Sequence, residues 1–337
     1  MADTEPGWST LPDPEAYRFR ALHPRVHLGT ASDRYAGWLG QIYTPERYRG
    51  RITRRIRRLG GRRFVEAVLP VESVLEYFEH FEVLEIDFTF YRPLLDPEGR
   101  PTSSLRALRE YARRMGPGDR LILKAPREFF ARRVRRDDRM ELNPSYLDAE
   151  GFGRRFYEPA RGVLGDRLGG IVFEQEYQRA AARTPPAELA DELDRFFRAI
   201  PGDVIYHAEL RTPSYLARPV LDALEARGVG LVFSHWTWLP PLREQFRRTG
   251  RRFTNRGGRC LIRLMTPREV RYEDAYLRAY PFDRLVEGLM SPDMIGDVVG
   301  IVREAAARGV HADVVVNNRA GGNAPEIARL IGLALTR

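Results

Sequence analysis

The chain has 337 residues, 43% of them hydrophobic, and carries a formal net charge of +9 with a pI of about 9.9. This composition is that of a globular protein with one large core or two modest ones, and no apolar run approaches the ~20 residues that cross a bilayer. The N-terminal residues do not resemble a secretory signal and the single cysteine, Cys260, excludes an internal disulfide, so we predict a cytoplasmic location.

The first part of the chain is predicted to lead into a single domain. Residues 1–24 are polar and rich in proline and are interpreted as an N-terminal extension to a domain of residues 25–337. A short strand at 26–30 ends in a glycine turn. Residues 45–60 are predicted to be helical with arginines on the outer face, and residues 71–80 to form a short helix.

The stretch 83–93 is predicted to be the strand around which the chain is organised. Side chains alternate between the two faces of a strand, so Leu84 and Ile86 cover one side while Glu85 and Asp87 point to the other. The strand is expected to extend into an aromatic-rich loop. Later strand candidates also end in charged residues. We therefore expect the carboxylates of Glu85 and Asp87 to lie in a functional site where these strand ends meet, and not on a solvent-exposed surface.

The remaining elements alternate between helix and strand. Helices are predicted at 103–115, 152–164, 187–199, 216–227, 292–308 and 324–335, strands at 121–125, 170–174, 204–210, 229–234, 260–265 and 312–317, and a long basic loop at 127–146. Eight strand candidates separated by helical segments indicate an α/β fold, a (β/α)8 TIM barrel, as one domain. The alternative, a doubly wound open sheet, would carry Gly-x-Gly-x-x-Gly after its first strand, and the sequence has none there.

Charged and amide residues near the predicted strand ends form the candidate site, since TIM barrels have their active sites there. The catalytic candidates are Glu85, Asp87, Lys124 and Glu209, and the substrate-binding candidates are Arg127, Glu174, Arg211, His235, Arg263, Asn317, Asn318 and Asn323. Both signs of charge indicate a bound anion with a general acid or base. The alternative is a ring of salt bridges that closes the barrel without catalysis.

Some candidates carry a second interpretation. Lys124 is the only lysine among 55 basic residues, which indicates either chance retention in an arginine-rich chain or a site that needs a compact ammonium group. Glu209 and Arg211 lie on the same strand face, so they could form either a catalytic pair or a purely structural ion pair. Asn323 suits the N-cap of the last helix. The free backbone amides of that helix start either are only capped by the side chain or also bind a phosphate group. His235 is either a ligand contact or a satisfied buried histidine.

No cofactor or metal is predicted, because the six histidines show no paired ligand spacing. A Mg²⁺ ion held by carboxylates is the alternative that the sequence leaves open.

Three basic clusters are present, Arg49–Arg63, Arg132–Arg139 and Arg243–Arg259. The first is expected on a solvated outer helix and the other two near the mouth. With aromatic loop residues beside them, basic loops there could steer a small anion or track a phosphate backbone.

The motifs resemble those of the YecE-like family, a domain of unknown function with a TIM-barrel fold, over about residues 26–335. The matching pieces are Leu28-Gly29-Thr30 with Gly37-Trp38, Glu85-Ile86 with Thr89-Phe90-Tyr91-Arg92, Lys124-Ala125-Pro126-Arg127, Val172-Phe173 with Gln175, Glu209 with Arg211 and Pro213-Ser214-Tyr215, Arg263-Leu264, and Asn317-Asn318 with Gly321 and Asn323-Ala324. The chain departs from the family pattern at Asp87-Phe88, Glu174 and Met265-Thr266. The resemblance implies a barrel with a polar cleft and brings no established reaction, substrate or cofactor.

The leading functional hypothesis is an enzyme, a hydrolase, lyase or isomerase, acting on a small anionic substrate that is phosphorylated or sugar-like. In it Lys124, Arg127, Arg211 and Arg263 hold the anion, Glu209 with Glu85 or Asp87 is the acid or base, and Asn317 and Asn318 orient substrate oxygens. The alternatives are a nucleic-acid-binding or -processing protein that uses the same face, and a non-catalytic ligand-binding barrel. The sequence predicts no membrane partner and gives no oligomeric state.

Overall fold

The computed structural model describes Trp8 and residues 13–59, 61–136 and 139–337. The strands in chain order are β1 (Val26–Ala31), β2 (Thr53–Leu59), β3 (Arg62–Val68), β4 (Val83–Ile86), β5 (Arg120–Lys124), β6 (Arg133–Arg136), β7 (Arg139–Leu142), β8 (Leu168–Glu174), β9 (Tyr206–Glu209), β10 (Gly230–His235), β11 (Arg259–Leu264) and β12 (His311–Val316). The helices are α1 (Pro45–Tyr48), α2 (Val74–His80), α3 (Phe88–Tyr91), α4 (Ser103–Ala112), α5 (Arg127–Phe130), α6 (Ala149–Phe152), α7 (Glu158–Leu164), α8 (Pro186–Ala199), α9 (Arg218–Ala226), α10 (Leu242–Arg248), α11 (Tyr272–Ala279), α12 (Met294–Ala307) and α13 (Ala324–Thr336).

Eight of the described strands close into a parallel barrel. Their order around the barrel is β1-β12-β11-β10-β9-β8-β5-β4, and β4 pairs with β1 to complete the ring. Helices lie outside it, so the predicted (β/α)8 fold is confirmed. None of the helices in the described part of the chain is both long enough and apolar enough to cross a membrane.

The outer helices form where amphipathic periodicity and end signals predict them. Helix α8 begins at Pro186 and buries Leu189, Leu193 and Phe196. Helix α13 begins after Asn323, whose side-chain oxygen accepts the Glu326 backbone N–H at 2.8 Å. These helices therefore bury their apolar faces against the barrel and leave its ends open to loops.

Residues 1–7 and 9–12 of the predicted N-terminal extension lie outside the described residues. The described remainder packs on the barrel: Phe19 and Leu22 are fully buried, and the rings of Phe19 and Phe81 are 4.8 Å apart.

Three local predictions are wrong. Residues 45–60 are not one helix, because after α1 the chain forms an antiparallel hairpin of β2 and β3, with Arg57 opposite Phe64. The predicted loop 127–146 contains α5 and a second hairpin of β6 and β7. The central strand ends at Ile86, where the chain turns into α3.

The barrel interior has one apolar layer between two polar ones. Inward residues recur at every second position, so each strand contributes to successive layers. The middle layer includes Val83, Ile122, Val172, Val232, Leu261 and Val315, all buried. Two residues further along the strands lie Glu85, Lys124, Glu174, Arg263 and Asn317, which form the floor of the mouth. At the opposite end lie Arg120, His207, Arg259 and Asp313, joined by ion pairs from both arginines to Asp313.

Candidate functional site

A cavity of about 460 Å³, called here the mouth cavity, lies at the C-terminal ends of the barrel strands. Its floor comes from the upper polar layer, and one wall comes from the β2–β3 hairpin. It is lined by Ala31, Tyr35, Arg55, Arg57, Glu85, Asp87, Phe88, Phe90, Tyr91, Lys124, Glu174, Arg211, Trp236, Arg263, Met265, Tyr272, Tyr276, Asn317 and Arg319. The cavity therefore combines both signs of charge with aromatic walls.

Arg263 is the centre of the floor and is only 1% exposed. Its Nε and Nη2 donate to the two carboxylate oxygens of Glu85, both at 2.7 Å, in a bidentate pair. Its Nη1 donates to Glu209, whose other oxygen accepts the hydroxyl of Ser234 at 2.5 Å. Both buried carboxylates are thus occupied by protein donors.

Glu174 joins the rest of the floor. Its oxygens lie 2.6 Å from Lys124 Nζ and 2.7 Å from Arg211 Nη1. Burial disfavours the charged form of Glu174, but the nearby charges of Arg211, Lys124 and Arg263 outweigh burial and hold its pKa well below its usual range. Arg211 also lies 3.1 Å from Glu209. The floor cluster, defined as Glu85, Lys124, Glu174, Glu209, Arg211 and Arg263, therefore has three acids and three cations.

Two cations of the floor also contact aromatic rings. Lys124 Nζ is 4.1 Å from the centre of the Phe90 ring, and the Arg211 guanidinium is 3.9 Å from the Trp236 ring. The hydroxyl of Thr89 donates to the backbone oxygen of Lys124 at 2.7 Å. These contacts fix both cations at the cavity surface.

Above the floor, three charged side chains lack an opposite partner. Asp87, Arg55 and Arg319 line the cavity, and none of them forms an ion pair within the described ranges. Arg319 packs its guanidinium 4.3 Å from the Tyr272 ring, and its buried Nε has no hydrogen-bond acceptor among the described residues. A ligand in the cavity would meet these groups before the paired floor.

The hairpin wall is fixed by a separate ion pair. Arg57 lies 3.1 Å from Glu66 on the neighbouring strand and donates to the Tyr272 hydroxyl at 2.9 Å. The Tyr276 hydroxyl donates to the same glutamate. The hairpin is thereby held against α11, with Arg55 facing the cavity.

The structure brings most of the sequence-predicted site residues together. Glu85, Asp87, Lys124, Glu174, Arg211, Arg263 and Asn317 line the mouth cavity, and Glu209 lies directly beneath it. Among the described residues, these come from β4, β5, β8, β9 and β11 and from the loops after β4, β9 and β12, as the barrel geometry predicts.

Four predicted substrate-binding residues lie elsewhere. Arg127 lines a separate cavity of about 660 Å³ beside Arg155. Asn318 accepts the indole N–H of Trp38 at 3.0 Å, and Asn323 caps α13 and donates to the Phe282 carbonyl. Those side chains support the loop behind Asn317 instead of facing the cavity.

His235 is the fourth. Its Nδ1 lies 3.1 Å from the Thr266 carbonyl, and burial lowers its pKa to about 4. On β10 it follows Ser234, which points to the floor, so it faces the outside of the barrel. The ring is therefore neutral at pH 7 and away from the mouth cavity.

Sequence reasoning missed the hairpin wall. The sequence predicts Arg55 and Arg57 on a solvated helix, whereas both line the mouth cavity. The signal that could have found them is Gly60-Gly61 between two strand-length runs, a typical hairpin sequence. Tyr272, Tyr276 and Arg319 also line the cavity, and no local pattern distinguishes them from other loop or helix residues.

Within the described ranges, no group of three or more His, Cys, Asp or Glu side chains is arranged to share a metal ion. The acids of the floor cluster face arginine and lysine instead.

Comparison with known proteins supports the fold. The family model described as "Protein of unknown function DUF72" matches residues 27–336. A DUF72 family protein of Thermotoga maritima superposes with a TM-score of 0.56 at 16% identity, covering 93% of this chain and 99% of that one. One of Enterococcus faecalis gives 0.56 at 16% identity, covering 93% and 96%. The comparison with curated proteins gives no match.

Proposed function

Because the chain belongs to the DUF72 family, which is the same family as the YecE-like proteins, we propose a function for its TIM barrel from the mouth cavity. The protein is an enzyme that binds a small anionic substrate, phosphorylated or sugar-like, at the C-terminal mouth. The observation that carries this proposal is the pair of arginines, Arg55 and Arg319, that face the cavity above a charge-balanced floor and form no ion pair with any described residue.

The local charge balance supports an anionic ligand. The floor cluster is neutral, with Arg263, Lys124 and Arg211 distributed over three glutamates. Arg57 is neutralised by Glu66. Only Arg55, Arg319 and Asp87 remain unpaired at the cavity within the described part of the chain, which leaves a surplus of one positive charge. An unpaired cation beside aromatic walls attracts anions more strongly than it would in open solvent.

The proposed roles follow from access. Arg55, Arg319 and Lys124 bind the anion, since their donors face the cavity. Asp87 is the candidate general acid or base because its carboxylate forms no ion pair within the described part of the chain. Glu85 and Glu209 are assigned instead to holding Arg263, since all their oxygens are taken. Asn317 remains a candidate for orienting substrate oxygens.

Anion binding is tested by titrating the protein with inorganic phosphate and pyrophosphate in a calorimeter, with EDTA present to exclude metal-mediated binding. We expect Arg55→Gln to weaken binding about tenfold, because a charge-assisted hydrogen bond is lost. The matched control is Arg54→Gln, one residue earlier on the same strand, exposed and not lining the cavity. Equal affinity of wild type and Arg55→Gln would overturn the assignment.

Lys124→Met separates a ligand site from a ring of structural salt bridges. We expect phosphate affinity to fall about tenfold while the free energy of unfolding falls by only about 1 kcal/mol, since Arg211 and Arg263 still neutralise Glu174. Unchanged affinity together with a loss of several kcal/mol on chemical denaturation would favour the structural ring.

Catalysis is tested by incubating the protein with a set of sugar phosphates and following their ³¹P and ¹H spectra. We expect conversion of at least one compound by the wild type and a loss of about 10²-fold or more in rate for Asp87→Asn, with phosphate binding retained. Binding without conversion of any compound would favour the non-catalytic binding barrel.

A second candidate function is binding of single-stranded nucleic acid, and one observation favours it. Tyr91, the last residue of α3, is 66% exposed, and Trp238, on the loop after β10, is 46% exposed. The Tyr177 and Trp238 rings lie 5.8 Å apart. Exposed rings beside arginines are suited to base stacking. A labelled mixed-sequence oligonucleotide, titrated at several salt concentrations by anisotropy, tests it: absence of binding at low salt excludes this candidate.

A further inference from the structure

A second cavity, called here the side pocket, opens beside the mouth cavity and has a volume of about 600 Å³. The two cavities share part of their walls, since Tyr35, Arg55, Arg57, Asp87, Phe88 and Tyr91 line both. The side pocket then continues to Asp33, Ser104 and Tyr111. One ligand could therefore occupy both spaces, with Arg55 and Arg57 at the boundary.

The side pocket contains a buried carboxyl group that the proposed function has not used. Asp33 is 2% exposed, and its Oδ1 accepts the Tyr111 hydroxyl at 2.8 Å. Its Oδ2 is buried and has no hydrogen-bond partner among the residues that the structure describes. Burial raises the pKa of Asp33 to about 6, despite the nearby hydrogen bond and charge of Tyr111 and Arg34. A buried acceptor left without a donor is costly and calls for an explanation.

We propose that the side pocket is a subsite for the uncharged, hydroxyl-bearing part of the substrate, a sugar ring or polyol whose phosphate group lies in the mouth cavity. The inference rests on the proposed function and specifies its substrate class as a phosphorylated sugar or polyol. In this arrangement a substrate hydroxyl donates to Asp33 Oδ2, and Arg55 binds the phosphate at the boundary.

The chemistry of the pocket favours a hydroxyl donor over other groups. An aliphatic ligand would leave the Asp33 oxygen unsatisfied. A cationic ligand would gain no net attraction, because the four arginines of the pocket, Arg34, Arg55, Arg57 and Arg92, outnumber its acids, Asp33, Glu66 and Asp87. The rings of Tyr35, Phe88 and Tyr91 offer flat apolar surfaces, which suit the C–H face of a sugar, and Ser103 and Ser104 supply further polar contacts.

The test compares D-ribose 5-phosphate with inorganic phosphate by calorimetric titration of the full chain. We expect the sugar phosphate to bind about tenfold or more tightly than inorganic phosphate to the wild type. Asp33→Asn should weaken binding of the sugar phosphate about tenfold, since the charge-assisted hydrogen bond is lost, and should change phosphate affinity by less than about twofold. Asp297→Asn is the matched control, a buried aspartate on α12 whose pKa is also raised by burial.

A second variant keeps the test decisive if Asp33→Asn does not fold. Ala107 lies on α4 and lines the side pocket but not the mouth cavity. Ala107→Leu should fill part of the pocket, lower the affinity for D-ribose 5-phosphate about tenfold, and leave binding of inorganic phosphate intact.

The outcomes distinguish the two proposals. Equal affinities for the two probes in the wild type, or equal losses for both probes in Asp33→Asn and Ala107→Leu, would overturn the side-pocket subsite and leave the anion site standing. Failure of both probes to bind the wild type would overturn the anion site, and the subsite with it.

Discussion

At the scale of single residues, the mouth cavity has two kinds of charged groups: ion-paired side chains in its floor, and open side chains above the floor that form no ion pair with a described residue. Arg263 is held by Glu85 and Glu209 beneath the cavity, at 1% exposure or less for all three side chains. Such a buried set is strongly destabilised when one partner is removed, because the remaining charges are left without compensation. Glu85, Glu209 and Arg263 thus set the shape and field of the site, whereas Lys124 and the open groups above the floor are available to a ligand.

Arg263→Met tests this division. We expect the free energy of unfolding to fall by about 3–5 kcal/mol, because Glu85 and Glu209 lose their main counter-charge. Denaturant titration measures the change. The control is Arg218→Met, which removes a 90% exposed arginine from an i,i+4 pair with Asp222 and should cost less than about 0.5 kcal/mol. A similar small cost at both positions would show that the floor cluster is not a coupled network.

At the scale of elements, the barrel strands and main helices could be predicted because their periodicity is clear. Inward polar residues such as Glu85 and Lys124 share a strand face with Val83 and Ile122, so their convergence follows from alternation once the barrel is assumed. The partners within the floor could not be predicted, since residues 178 positions apart, Glu85 and Arg263, meet only through barrel closure.

The β2–β3 hairpin shows why the wall was missed. Arginines occupy both faces of β2, and Ile56 in its middle points outward at 61% exposure. The alternation of apolar and polar residues that identifies a strand is therefore absent. The same composition suits a solvated helix. The segment forms a strand in the hairpin, where Arg57 contacts Tyr272 in the tertiary structure.

Gly61→Val tests the hairpin as the element that presents Arg55. Gly61 has φ of +73°, a region that a β-branched residue adopts only at a cost of about 1–2 kcal/mol. We expect faster hydrogen exchange in β2 and β3 and a severalfold weaker phosphate affinity, with the barrel strands unaffected. Gly61→Asn, which tolerates positive φ, is the control. Unchanged phosphate affinity in Gly61→Val despite faster exchange would argue against Arg55 as a ligand contact.

At the scale of the whole molecule, the apolar middle layer separates the polar mouth from a polar base. At the base, burial lowers the pKa of His207 to about 4, with Asp313 and Arg259 as its charged neighbours. His207 Nδ1 has no partner among the described residues. A β-carbon at Gly230 would come within 2.3 Å of this nitrogen, so the glycine makes room for the ring.

Acid should therefore destabilise the fold through His207. Its pKa is about 4 in the folded state and 6.5 in the unfolded state, so the unfolded chain binds more protons between these values. The contribution of His207 to the free energy of unfolding is fully present above pH 6.5. About 3 kcal/mol of it is lost as the pH falls toward 4. Denaturant titrations at pH 7.5 and 4.5 measure the loss. We expect His207→Phe to show a smaller loss, and an equal loss in both proteins would contradict the assignment.

The position of Lys124 has a practical consequence. Lys124 is the one lysine in the sequence. Its side chain lines the mouth cavity and is 11% exposed. A small amine-selective acylating reagent would therefore modify a single internal position, which mass spectrometry can follow peptide by peptide. Protection of that peptide by a candidate metabolite would report occupancy directly, without any assay for turnover.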